Sequence, residues 1–196
     1  SAGLKQVFVD MIRCRMVDAI VATGANIVDQ DFFEALGYRH YQADEAFRSG
    51  MYDDKLRELM IDRIYDTFID EQELRICDHK VCEIADQLEP GVYSSRQFLR
   101  AMGEYLDKHA ACRQSIVLAA YEHDVPIFVP AFSDCSAGFG LVEHQHQRMA
   151  VGEPMVSIDS ARDFYELTQV KLEHPTTGLF MVGGGDRKST RLNSSH

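Results

Sequence analysis

The sequence is poor in the features that mark exported and membrane-spanning proteins. It has no tryptophan, and its five cysteines are an odd number without a disulfide framework or paired CxxC spacing. No apolar run approaches the roughly 18 residues of a membrane span, and the first residues lack a signal-peptide pattern. These absences favour a soluble protein of the reducing cytoplasm, with no membrane partner.

Positive charge is also scarce. Lys and Arg together number 20 against 31 Asp and Glu, which gives a formal net charge of -11. Tracking a nucleic acid backbone needs clustered cations, so this composition disfavours a nucleic acid partner. A cationic ligand fits the charge better.

The spacing of cysteine and histidine along the sequence is not typical of a metal site. His79 lies between Cys77 and Cys82, but a fourth ligand at usable spacing is missing, so we interpret the cysteines as structural thiols. His144 and His146 could share a metal only on a strand, and packed or solvated histidines are the simpler interpretation. The sequence therefore predicts no metal site.

Apolar periodicity predicts alternating helices and strands. A capping box of Ser94 and Gln97 opens one helix, and Gly37 ends another. We expect a long loop over residues 40–54 and a Gly- and Ser-rich loop after Pro130. The predicted helices are residues 4–16, 30–36, 160–171 and most of 54–123; the predicted strands are residues 17–22, 125–130, 155–158 and 178–182. This order predicts an α/β fold, a doubly wound, mostly parallel sheet with helices on both faces.

The last eleven residues differ from the rest. The stretch DRKSTRLNSSH, residues 186–196, has no apolar periodicity and is the peptide that a common sequencing-adapter read encodes. We therefore expect a partial domain over residues 1–185 followed by a non-native tail. Because the chain also begins without Met, we expect both ends to be cut.

In such folds ligands bind beyond the carboxyl ends of the strands, and three segments of this sequence follow predicted strands. Thr23-Gly24, with Asp29-Gln30-Asp31 soon after, could let backbone N–H groups approach a phosphate, although glycine turns after strands are common. Asp29 and Asp31 could pair with a cation or favour a helix N-terminus. Asp134 could accept hydrogen bonds from ribose or cap its own loop. The third segment is an apolar run that ends in Gly183, Gly184 and Gly185.

The order and spacing of these segments resemble the deoxyhypusine synthase family, including its bacterial deoxyhypusine synthase-like branch. The matching residues are Thr23-Gly24 with the acidic Asp29-Gln30-Asp31, the run from Pro130 to Gly138, and the triple glycine. The resemblance implies a Rossmann-like, homotetrameric transferase that uses NAD and spermidine. It implies transfer of an aminobutyl group to a lysine of a translation factor.

The resemblance also assigns residues. Asp29 and Gln30 fall at the substrate-binding acidic pair, although Gln30 stands where a second carboxylate is usual. Phe139 stands where a further acid would hold the substrate. The family's imine-forming lysine lies beyond the triple glycine, so we expect no catalytic residue here and an inactive chain. The cofactor-binding positions are Ser1, Gly3, Thr23, Gly24, Ala25, Ser133, Asp134, Gly183, Gly184 and Gly185.

Two alternatives remain open. On the same scaffold, a homospermidine synthase would use a free diamine such as putrescine as the acceptor. A nucleotide-binding module would keep the NAD site without transfer chemistry, with Gln30 and Phe139 marking lost polyamine binding. An unassigned α/β domain is the least specific interpretation.

Overall fold

The computed structural model describes residues 3–43 and 53–183. The chain divides into two compact units, one ending at Phe164 and one beginning at Tyr165. The segment α2 is a π-helix over Ala25–Phe32 and an α-helix over Phe33–Ala35. The other helices are α1 (Lys5–Arg13), α3 (Asp53–Glu58), α4 (Glu71–Gln87), α5 (Ser95–His109), α6 (Ile116–His123), α7 (Ser136–Val151) and α8 (Ser160–Glu173).

The strands are short and form three small sheets. They are β1 (Ile20–Val21), β2 (Tyr41–Gln42), β3 (Ile61–Ile64), β4 (Thr67–Asp70), β5 (Gly91–Tyr93), β6 (Ile127–Phe128) and β7 (Val156–Ile158). β1 pairs in parallel with β6, and β5 pairs in parallel with β7. β2, β4 and β3 form an antiparallel sheet that the sequence analysis did not predict. The α/β class is confirmed.

Side-chain caps fix where several helices begin. The Asp70 carboxylate accepts hydrogen bonds from the amides of Gln72 (2.8 Å) and Glu73 (3.2 Å) at the start of α4. Ser94 and Gln97 form the predicted capping box at the start of α5. Gly37 follows α2 with a φ of 102°, a left-handed conformation that glycine adopts without steric cost. The Ser94–Gln97 and Gly37 signals were predicted correctly, whereas the sequence analysis named no cap at Asp70.

The core of the first unit is formed by buried apolar side chains of α1, α2, α4, α5, α6, α7 and β6. Its members are buried apolar side chains that repeat at helical spacing on the inward face of each helix, as an amphipathic pattern predicts. The largest of them include Phe32, Phe33, Phe98, Met102, Leu106 and Leu118. This core supports the β1–β6 pair, whose carboxyl edge carries the candidate site.

The nearly continuous helix predicted from residue 54 to residue 123 is wrong at a hairpin. β3 and β4 pair antiparallel with Ile64 opposite Thr67, which leaves a two-residue turn. Tyr65 in that turn has a φ of 62°, the positive value that tight hairpins require. Leu59 and Ile64 are exposed rather than part of a buried stripe.

The loop predicted after Pro130 is also wrong over most of its length, because α7 occupies residues 136–151. Gly138 and Gly140 of this helix allow close packing and do not form turns. A Cβ at Gly140 would lie 2.3 Å from the carbonyl oxygen of Asp78 on α4. A methyl group would therefore force α4 and α7 apart.

The strand predicted over residues 178–182 is not observed, since these residues have no regular structure. A strand is stabilised by hydrogen bonds to a neighbouring strand, and apolar residues alone do not supply them. The predicted loop over 40–54 contains β2 and the start of α3, and residues 44–52 lie outside the described residues. The predicted tail, residues 186–196, also lies outside them. Within residues 3–43 and 53–183, no helix combines the length and the apolar character needed to cross a bilayer.

Candidate functional site

Two chain segments meet at the carboxyl edge of the β1–β6 pair. Because the two strands are parallel, both chains leave the pair on the same side. The amide of Ala22 donates to the carbonyl of Phe128 across 3.0 Å, one residue before Thr23. We call the exposed residues that follow, Thr23, Ala25, Ser133 and Asp134, the rim.

The first half of the rim lies at the amino end of α2. Thr23 is exposed, and its hydroxyl accepts a hydrogen bond of 3.1 Å from the Asn26 side-chain amide. Gly24 is buried behind it, and a Cβ there would lie 2.4 Å from the Cys135 sulfur. Glycine at position 24 thus allows direct contact between the two segments of the rim.

The second half of the rim comes from a single turn of 3-10 helix, Phe132–Asp134. Ser133 and Asp134 are exposed, whereas Cys135 points inward and donates to the Phe132 carbonyl. Gly138 lets α7 approach this turn, since a Cβ there would lie 2.5 Å from the Ser133 carbonyl oxygen. The amino end of α7 therefore lies directly under the rim.

Asp29 joins the two segments from below. Its carboxylate accepts a hydrogen bond of 3.0 Å from the amide of Ser136, the first residue of α7. A carboxylate is favourable at that position because the first amides of a helix carry partial positive charge. Asp29, predicted to bind substrate, is thus also a cap that connects α2 to α7.

Asp78 on α4 adds a second acidic group near Asp29, and sequence reasoning missed it. Burial raises the pKa of Asp78 from its ordinary value of 3.8 to about 7, with a smaller contribution from the negative charges of Asp29 and Glu143. One of its carboxyl oxygens is buried without a hydrogen-bond partner among the described residues. No motif surrounds Asp78 in the sequence, so only the three-dimensional packing identifies it.

Asp31 is a structural residue, although the sequence left a cation-binding role open for it. It is fully buried and accepts hydrogen bonds from the Ser115 hydroxyl (2.7 Å) and the amides of Ile116 (2.8 Å) and Val117 (2.9 Å). Burial raises its pKa, and these hydrogen bonds oppose that rise. Asp31 therefore caps α6, and it does not face the rim.

The other predicted positions are placed as follows. Ala25 is exposed at the start of α2, Gln30 is half-buried within it, and Gly3 precedes α1 with a φ of 81°. Gly183 belongs to the second unit and is described only there, with a φ of 69°. Ser1, Gly184 and Gly185 lie outside the described residues. The structure thus brings Thr23, Gly24, Ala25 and Asp29 together with Ser133 and Asp134.

His144 and His146 do not converge, because they lie two positions apart on α7. The buried His144 ring pairs with Asp86 through Nδ1 (2.8 Å) and accepts the Val156 amide at Nε2 (2.9 Å). His146 is exposed. One packed and one solvated histidine is the outcome that the sequence favoured. Phe139, on the same helix, is 72% exposed.

The fold is that of an α/β protein in which acidic residues lie beyond the carboxyl ends of parallel strands. A family model described as deoxyhypusine synthase matches residues 1–195. The chain therefore belongs to the deoxyhypusine synthase family, as the sequence motifs implied.

Relatives agree with this assignment. The chain is similar to the deoxyhypusine synthase-like protein of Chlorobaculum parvum, with 58% identity over 96% of this chain and 52% of that protein. The corresponding protein of Coxiella burnetii is 55% identical over 96% of this chain and 52% of its own length. The chain thus spans about half the length of these relatives.

A solved structure supports the fold. The crystal structure of a candidate deoxyhypusine synthase from Entamoeba histolytica superposes with a TM-score of 0.65 at 18% identity. The match covers 93% of this chain and 53% of that chain. At this identity the similarity concerns the fold alone.

Proposed function

We propose that this chain is part of a transferase that binds NAD at the rim and spermidine beside it, for transfer of an aminobutyl group to a protein lysine. The observation that carries the proposal is the close approach of Gly24 to Cys135, the residue after Asp134, together with the hydrogen bond from the Ser136 amide to Asp29. Family membership supports the same reaction class.

The rim has the donors and acceptors that a dinucleotide needs. The exposed Thr23 hydroxyl and the amino end of α2 suit a phosphate, because helix N-termini attract anions. The exposed carboxylate of Asp134 suits the hydroxyls of a ribose. When bound, NAD would supply a reversible hydride acceptor for a carbon of the polyamine.

The acidic residues near the rim have the charge that a polyamine needs. Asp29 lies close enough to Asp78 for its negative charge to raise the pKa of Asp78. A bound ammonium would offset that repulsion and favour the ionised form of Asp78. The net charge of -11 would also attract a polycation over a longer range.

The proposal extends to the acceptor and the assembly. We assign the acceptor to a lysine-bearing translation factor and the assembly to a homotetramer, both on the family resemblance. The rim segments, residues 22–30 and 129–138, contain no lysine. We therefore expect the 196-residue chain to bind its ligands without completing transfer.

Calorimetry tests NAD binding to the 196-residue chain. Thr23→Val and Asp134→Asn each remove one polar contact, so each should weaken NAD binding by about tenfold, equivalent to about 1.4 kcal/mol. Thr67→Val and Asp54→Asn make the same chemical changes outside the rim and should leave the affinity unchanged. Absence of NAD binding, or equal losses in the controls, would contradict the proposal.

Spermidine binding is tested separately in the presence of NAD. Asp29→Asn should weaken it, while NAD binding persists. NAD binding with no spermidine signal would favour a nucleotide-binding module, and a product formed with putrescine in place of a protein lysine would favour a homospermidine synthase.

A further inference from the structure

A second polar cluster lies away from the rim, where α4 packs against α7. His79 and Cys82 come from α4 and Glu143 from α7, and one potential ligand atom from each lies within 4.8 Å of the other two. His79 Nδ1 and Glu143 Oε1 are already 3.0 Å apart. A nitrogen, a sulfur and an oxygen donor thus converge from two helices.

The close approach of the two helices creates this convergence. Gly140 lets α7 pack against the backbone of α4 at Asp78, one residue before His79. Glu143 lies three positions after Gly140 and so occupies the same face of α7. His79 and Cys82 are also three positions apart, so both project from one face of α4.

Neighbouring groups hold the cluster in place. The Cys82 sulfur lies 3.8 Å from an oxygen of Asp86, and the other Asp86 oxygen pairs with His144 (2.8 Å) and the Arg148 guanidinium (3.0 Å). Metal sites in proteins depend on such outer contacts to orient their ligands. Cys82 is buried, while the His79 side chain is about half exposed, so solvent reaches the cluster from the histidine side.

We propose that His79, Cys82 and Glu143 form a three-ligand site for a zinc-class divalent ion. Thiolate, imidazole and carboxylate are together typical of zinc and exclude a preference for magnesium or calcium. Ligand atoms of a tetrahedral zinc site lie about 3.3 to 3.8 Å apart, given bonds of about 2.0 to 2.3 Å. Displacements of about 1 Å in the ligand atoms bring the cluster to this geometry, and a water molecule takes the fourth position.

Ion binding releases the thiol proton of Cys82 to solvent. The ion takes the place of the hydrogen bond between His79 and Glu143, and the ring proton of His79 lies on the nitrogen that does not bind the ion. None of the three ligands belongs to the rim, and the test uses neither NAD nor spermidine.

The test is a titration of the reduced, chelator-treated 196-residue chain with Co²⁺, which absorbs in the near ultraviolet when bound to a thiolate. We expect this absorption in the unmodified chain, its loss on addition of Zn²⁺, and its persistence in excess Mg²⁺. Cys82→Ser should abolish the absorption. His79→Asn and Glu143→Gln, both at exposed or half-exposed positions, should weaken cobalt binding at least about tenfold.

Matched controls separate the site from adventitious binding. Cys112→Ser and His123→Asn change the same residue types elsewhere and should leave both the absorption and the affinity unchanged. Absence of thiolate absorption in the unmodified chain, or its retention in Cys82→Ser, would overturn the proposal. Equal weakening by His79→Asn and His123→Asn would also overturn it.

Discussion

The rim and the buried polar anchors of the first unit contain similar polar residues, but these differ in exposure and in hydrogen bonding. At the rim, Thr23, Ser133 and Asp134 are exposed to solvent. The anchors, which we define as Asp31 and His144, are buried and bonded on several sides. Exposed polar side chains contribute little to folding and remain accessible to a ligand. Buried ones contribute to folding only while their hydrogen bonds are complete.

Asp29 and Asp31 show this contrast within one helix. Asp29 is half-buried beside the rim and caps α7 through one hydrogen bond. Asp31, two residues later, caps α6 through three hydrogen bonds and is fully buried. Changes at the anchors should therefore reduce the free energy of unfolding, while changes at the rim should reduce binding.

The largest expected effect is at Asp31. Asp31→Ala leaves the Ser115 hydroxyl and two α6 amides buried without an acceptor, so the free energy of unfolding should fall by about 3 to 5 kcal/mol. Urea denaturation followed by circular dichroism measures this loss. Asp31→Asn keeps one acceptor oxygen and should lose less. If Asp31→Ala were as stable as Asp29→Ala, the distinction between anchor and rim would fail.

A smaller effect is expected at His144. His144→Ala removes the acceptor for the Val156 amide and leaves a cavity, so we expect a loss of about 2 to 4 kcal/mol. His146→Ala, on the exposed side of the same helix, should stay within about 0.5 kcal/mol of the unmodified chain. Thermal denaturation of the two variants side by side measures the difference. Equal melting temperatures would contradict the role of His144.

The smallest effect should be at Asp78, which lies between the two regions. Its pKa is raised to about 7, so the folded state favours the protonated carboxyl. The stabilisation from that proton is complete below the ordinary pKa and is lost as the pH rises through about 7. Asp78→Asn should therefore gain about 1 to 2 kcal/mol relative to the unmodified chain at pH 8, after allowance for solvent screening.

Denaturation of both proteins at pH 5 and pH 8 measures this difference. The stability advantage of Asp78→Asn should be larger at pH 8 than at pH 5. Glu104→Gln, a change of the same kind at an exposed helix position, should show no such pH dependence. An advantage of Asp78→Asn that is equal at both pH values would show that ionisation of Asp78 is not its cause.

The sequence predicted what depends on near neighbours. The Ser94–Gln97 capping box and the Gly37 helix end are signals within a few residues, and both are confirmed. The meeting of the Thr23 and Asp134 segments followed from the rule that parallel strands share a carboxyl edge. The family motifs at these segments led to the correct family.

What the sequence did not predict depends on distant contacts. Asp31 finds its partners more than 80 residues away, at α6. Glu143 completes the cluster with His79 and Cys82 from another helix, so spacing along the chain could not identify it. Gly138 and Gly140 suggested a loop, but each is required for close packing of α7. In these cases tertiary packing overrides the local pattern.

The π-helical part of α2 constrains how this segment can evolve. Over Ala25–Phe32 each turn holds more residues than an α-helix does, and within it Asp29 reaches α7 while Asp31 reaches α6. Deleting one residue there would change which side chains project towards α6 and which towards α7. Asp29 and Asp31 could then no longer accept hydrogen bonds from the first amides of α7 and α6 at the same time. Lineages that carry this segment should tolerate exchanges of its residues more readily than changes in its length.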